Sequence, residues 1–166
     1  MTPSGWGRRT RRCSTHNLAL GVGTRSHADR RTALRRSLPA VPASVPAMRG
    51  AVAEFVAAAG VGEPQLAAVK LAVSEAVTNA VMHAYLHADE PGEVRVVTCL
   101  CGATVYVTVS DDGVGMMPRL DSPGLGVGLP FIADTADTLD IGSTEGGGTE
   151  LRMSFRVAAV GDLNGP

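Results

Sequence analysis

The chain has 166 residues, 45% of them apolar, with a formal net charge of −1, which suffices for one packed core and little more. No apolar run approaches the ~20 residues of a membrane helix. Three cysteines, with Cys99 and Cys101 almost adjacent, give neither a disulfide framework nor the second pair that zinc spacing demands.

The charge is unevenly divided. Nine of the fifteen basic residues lie before position 37, against one acid, Asp29. From Ser37 onward six basic residues face fifteen acidic ones, a formal −9, which argues against a nucleic-acid-binding body. Residues 1–36, rich in Arg, Ser, Thr and Gly without apolar periodicity, are expected to form a basic, disordered extension. The short, glycine-broken stretch Asn17–Val22 makes no signal peptide, so a cytoplasmic location is expected. The domain is expected over residues 37–157, with a short tail over 158–166.

Ser44 and the Ala/Val run after it predict a helix from about Val45 to Ala59, closed by Gly60 and Gly62. Pro64 opens a second helix, from Gln65 to about His83, which no Gly or Pro interrupts. Glu93–Leu100 and Ala103–Ser110 read as a hairpin, since Val105, Val107 and Val109 alternate with Thr104, Tyr106 and Thr108. The Gly-rich span from Asp111 to Gly128 reads as a functional flap. A short helix follows from Leu129 to about Ala136, and strands over Thr138–Gly142 and Thr149–Val157 close the domain. The order predicts an α+β, two-layer sandwich whose mixed, mostly antiparallel sheet is covered by helices on one face.

On the second helix, Leu66, Val69, Val73, Val77, Ala80, Val81 and Ala84 form one broad apolar stripe. Ala68, Leu71, Ala72 and Met82 make a second apolar face, which Glu75 and Asn79 interrupt one turn apart. A carboxylate among alkyl groups is costly without a partner or a wet cavity, and the i, i+4 spacing aims both side chains at one place. Asn79 offers an amide oxygen for a hard cation such as magnesium, and Glu75 can accept a proton. Equally, Glu75 can pair with a basic side chain while Asn79 is solvated. His83, near the helix end, is read as a dipole partner rather than a catalyst.

Asp111-Asp112-Gly113-Val114-Gly115 begins where a strand ends, placing a carboxylate at the sheet edge beside glycines that let backbone approach a ligand. Ordinary turns use the same residues. Gly124-Leu125-Gly126-Val127-Gly128 precedes a helix whose free amides suit phosphate. It lacks the Rossmann spacing and context, and no P-loop is present. Gly146-Gly147-Gly148-Thr149 reads as a hairpin turn with a hydroxyl at its end.

Taken together, Glu75-Ala-Val-Thr-Asn79, Asp111-x-Gly113-x-Gly115, Gly124-x-Gly126-x-Gly128 and Gly148-Thr149 resemble the N, G1, G2 and G3 boxes of the Bergerat-fold ATPases. Within that superfamily, Ser74–Tyr85 is similar to the anti-sigma-factor serine/threonine kinases. The resemblance implies a histidine-kinase-like ATPase fold that takes ATP and Mg2+. It implies that Asn79 ligates the magnesium, that Asp111 accepts the adenine amino group, and that Gly113 and Gly115 floor the base pocket. Gly124, Gly126 and Gly128, with Leu129 after them, would meet the phosphates, and Thr149 the adenine side. Glu75 would be the base that deprotonates a Ser or Thr hydroxyl of an anti-anti-sigma protein. The partners implied are that protein and a sigma factor, with a homodimer common among such proteins and no direct nucleic-acid or membrane contact. A non-catalytic nucleotide-binding module and an ATP hydrolase are the alternatives. The short lid between Gly115 and Gly124 carries only one basic residue, Arg119.

Overall fold

A computed structural model of the chain describes residues 33–83, 91–114 and 128–157. Gly115, Gly124, Gly126 and Arg119, the basic head as far as residue 32, and the tail after Val157 lie outside the described residues, as does the His83 side chain.

Five strands form one sheet in the order β1-β2-β3-β5-β4, every neighbouring pair antiparallel. They are β1 (Ala33–Pro39), β2 (Glu93–Cys101), β3 (Thr104–Asp111), β4 (Thr138–Ser143) and β5 (Thr149–Arg156). Three helices, α1 (Ser44–Ala58), α2 (Gln65–His83) and α3 (Gly128–Thr135), complete the described fold. The architecture is the expected α+β one, and its described strand pairs are all antiparallel rather than mixed.

The strand absent from the sequence reading is β1. Its register runs from Ala33 opposite Cys99 to Pro39 opposite Glu93, so residues 33–36, assigned above to the basic extension, belong to the sheet. Leu34 and Leu38 share one face and pack on the core, whereas Arg35 and Arg36 are exposed. Charged residues on an outer strand discourage pairing with other chains.

Turn chemistry sets the helix boundaries. Helix α1 ends in a Schellman arrangement, with Gly60 at φ 84°, its N–H donating to Ala57 O at 2.9 Å and Val61 N–H to Val56 O at 3.2 Å. Its first residue, Ser44, is buried and does not cap the helix through its side chain. The hydroxyl donates instead to Pro39 O at 2.6 Å, tying the helix start to the end of β1. At the start of α2, Glu63 Oε2 accepts the Ala67 N–H at 3.0 Å, satisfying one of the free amides of the first turn.

The core lies between the helices and one face of the sheet. Met48, Val52 and Val56 at four-residue spacing supply the α1 side; Val69, Ala72, Val73, Ala76, Val77 and Ala80 supply the α2 side. Facing them are Val94 and Val96, Val105, Val107 and Val109, and Leu151, Met153 and Phe155, alternate residues of β2, β3 and β5. Ala72, assigned above to the second apolar face of α2, is fully buried in this core; both α1 and α3 pack on α2 beside the sheet and widen its covered arc. Leu71 and Met82 on that second face remain exposed. Burying each Val or Leu side chain contributes about 1.5–3 kcal/mol, so the layer contact rather than helix propensity holds α2 in place. On the opposite sheet face Arg152 pairs with Asp140 and Glu150, and Arg95 with Glu93.

Candidate functional site

The first group of predicted residues meets where α3 begins. Glu75 and Asn79 are both partly exposed on α2, and the backbone of Gly128 lies against them. A β-carbon built on Gly128 would fall 2.9 Å from Glu75 Oε2 and 3.7 Å from both Asn79 amide heteroatoms. A side chain at position 128 would therefore intrude on the Glu75 carboxylate, so the glycine here leaves room for Glu75 rather than meeting a demand of φ. Leu129, the next residue, is partly buried and packs on the core, and Ile132 is fully buried. The apolar residues of α3 thus hold the helix down on α2 with its first turn at Glu75 and Asn79.

The second group gathers at the end of β3. Asp111 lies on the helix-covered face, in alternation with Val105, Val107 and Val109, and is buried. Its Oδ1 accepts two backbone N–H groups, from Gly113 at 3.0 Å and Thr149 at 3.2 Å. Burial pushes the Asp111 carboxyl above the ordinary carboxylate value; the bonds from Thr149 and Gly113 oppose the shift, and the neighbouring Asp112 charge adds to it. Both N–H bonds converge on one oxygen, and the Thr149 side chain also hydrogen-bonds the carboxylate. Thr149, the first residue of β5, is also buried.

One further residue belongs to this group. Gly148 packs so closely that a β-carbon there would sit 2.1 Å from the Asp111 backbone oxygen and 3.0 Å from its Oδ1. The turn before it is tight: Thr144 N–H donates to Gly148 O at 2.8 Å, and Gly147 takes φ 95°. The pairing of Gly148 with Thr149 in the sequence was the available signal for this contact. Asp112 turns the other way, its Oδ1 accepting the Glu93 N–H at 2.8 Å; nothing in the local sequence distinguishes that role from a solvated turn carboxylate.

The described residues therefore bring Glu75, Asn79, Gly128 and Leu129 to one locus, and Asp111, Gly113, Gly148 and Thr149 to another. One locus offers a carboxylate, an amide and a helix N-terminus, suited to a proton, a cation and an anion. The other offers a buried acceptor suited to an N–H donor. No group of three or more His, Cys, Asp or Glu side chains gathers as a metal cage among the described residues, so a cation at Asn79 would need further ligands from a bound molecule or water. The donor set thus fits a cation carried in with phosphate oxygens. Among the described residues no helix is long and apolar enough to cross a membrane.

The sequence pattern of the histidine kinase-like ATPase domain matches residues 38–155. No curated protein gives a significant match. Among solved structures, the RsbU and RsbW domains of Rv1364c from Mycobacterium tuberculosis align at 25% identity and a TM-score of 0.61, over 75% of this chain and 32% of that one. The present chain thus spans about a third of that structure's length. The histidine kinase domain of the Erythrobacter litoralis EL346 blue-light activated histidine kinase aligns at 27% identity and a TM-score of 0.47, over 56% of this chain and 45% of that one.

Proposed function

Because the chain belongs to the histidine kinase-like ATPase domain family and has an ATP-binding, kinase-like fold, we propose that it is an anti-sigma factor and protein serine/threonine kinase acting on an anti-anti-sigma protein. The observation that carries this reading is the seating of Gly128 against the Glu75 carboxylate and the Asn79 amide. It sets a carboxylate, a side-chain amide and helix-start N–H groups around one small space, the groups that a proton, a cation and a phosphate would need. The likeness to a structure containing an RsbW domain supports the anti-sigma assignment.

Magnesium ATP, when bound, supplies the phosphoryl group and the cation that neutralises its oxygens. Asn79 Oδ1 would hold the cation, and the amides opening α3 would meet phosphate oxygens. Asp111 would accept the adenine amino group, with Thr149 beside it and Gly113 beneath, while Gly115, Gly124 and Gly126 would complete the pocket. Glu75 would take the proton from a Ser or Thr hydroxyl of the partner, leaving the chain's contribution one of positioning and charge placement.

The test is to incubate the protein with labelled ATP, magnesium and candidate anti-anti-sigma proteins, and to compare Glu75→Ala with the parent. Transfer to a Ser or Thr that disappears in the variant supports the kinase. Nucleotide binding with no transfer to protein or water would make it a binding module, and release of phosphate to water alone a hydrolase.

A further inference from the structure

We propose that Asp112 is a positioning residue for the Asp111 locus, fixing the strand end that carries Asp111. The inference rests on the reading above in which Asp111 accepts the adenine amino group.

The β2–β3 ladder reaches Val94 opposite Asp111 and there loses its regular backbone partner. One residue further on, the Glu93 N–H donates not to a backbone carbonyl of the β3 segment but to Asp112 Oδ1, at 2.8 Å. On the other side the Thr149 N–H reaches from β5 to Asp111 Oδ1 at 3.2 Å. Two consecutive carboxylates thus fasten one strand end to both neighbouring strands. Gly148 packs beside the Asp111 carbonyl with no room for a β-carbon. The bond to Glu93 opposes movement away from β2.

The anchor is itself held. Glu93 pairs with Pro39 of β1, and next to it Ala40 N–H donates to Gly92 O at 2.8 Å. Glu93 further bonds Ser37 and Arg95 through its side chain. Asp112 therefore grips a corner where β1 and β2 are already joined, and what it restrains is movement of Asp111 out of line with an incoming amine. Hydrogen-bonded selection of a polar group depends on such alignment.

The test uses the full chain and compares the affinities of ATP and ITP, which carry a 6-amino and a 6-oxo group, by calorimetry. Asp112→Asn keeps an oxygen for the Glu93 N–H and should keep both the affinity and the preference for ATP. Asp112→Ala should bind ATP about tenfold more weakly and lose most of its preference over ITP. Parent-like binding by Asp112→Ala overturns the proposal. So does an equal loss for both nucleotides, which would mark a merely structural bond. Asp111→Asn is measured alongside: if it keeps the preference for ATP, the base-pocket reading falls, and the positioning role falls with it.

Discussion

Replacing Gly128 by alanine separates the chemistry of this site from its stability. The added β-carbon would lie 2.9 Å from Glu75 Oε2, whereas an ordinary carbon–oxygen contact is about 3.4 Å, so the carboxylate must retreat by roughly 0.5 Å. It is the far end of a flexible, partly exposed side chain, and the movement is cheap. Alanine also regains up to about 1 kcal/mol of helix propensity, which leaves net stability within about 1 kcal/mol and the midpoint of thermal unfolding within about 4 °C. The Asn79 amide, at 3.7 Å, is in ordinary contact and need not move. Since a misplacement of about 1 Å can reduce a rate by about a hundredfold, half that displacement should slow phosphotransfer roughly tenfold while ATP affinity changes less than about threefold. Single-turnover transfer with labelled ATP, calorimetry and a thermal melt measure the three quantities. Unimpaired transfer by a folded Gly128→Ala protein would refute the assignment of Glu75 as the proton acceptor beside Gly128.

The same substitution at Gly148 should behave in the opposite way: its β-carbon would meet the Asp111 backbone oxygen at 2.1 Å, which cannot yield. Gly148→Ala should therefore lose about 2–3 kcal/mol in urea unfolding and bind nucleotide poorly. Ile132→Ala, at a fully buried position, should cost about 3 kcal/mol and loosen α3, seen as faster hydrogen exchange there. Two carboxylates should give opposite pH signatures. Asp111 is raised above 3.8 by burial, so its ionised form opposes folding: its penalty is full above the folded-state value and vanishes as pH falls toward 3.8, and Asp111→Asn should flatten that trend in unfolding curves. Asp137 is lowered below 3.8, chiefly by the Arg156 N–H bond, so its stabilisation is present above 3.8 and lost as pH falls through the lower folded-state value; Asp137→Asn should remove that acid sensitivity.

Wherever local chemistry decides, the fold was readable from the residues. The α1 stop at Gly60, the uninterrupted α2, and the alternating valines of β3 all sit within a residue or two of their expected positions. Strand β1 was not readable, because its Leu34 and Leu38 are separated by Arg35, Arg36 and Ser37 and its identity comes from bonds to β2, a partner more than fifty residues away. The burial of Ala72 was missed for a related reason: a helical wheel sees one packing partner, and α2 has the sheet, α1 and α3. At the site, the i, i+4 spacing of Glu75 and Asn79 pointed to a shared space. It could not reveal that Gly128 closes that space, since the contact joins residues about fifty positions apart. Asp112 was invisible as an anchor because its partner is a backbone N–H, which no sequence pattern marks.

The two loci are rooted in different layers: Asp111 and Thr149 in the interior strands β3 and β5, and Glu75, Asn79 and Gly128 in the helical layer. A molecule that grips both loci therefore acts as a rivet through the sandwich. Its binding free energy would oppose any opening that peels α3 and α2 from the sheet, while strand amides already guarded by the core would gain little. Nucleotide occupancy should thus be legible as a stiffening of the helical layer, which is also the surface a partner protein would meet at Glu75.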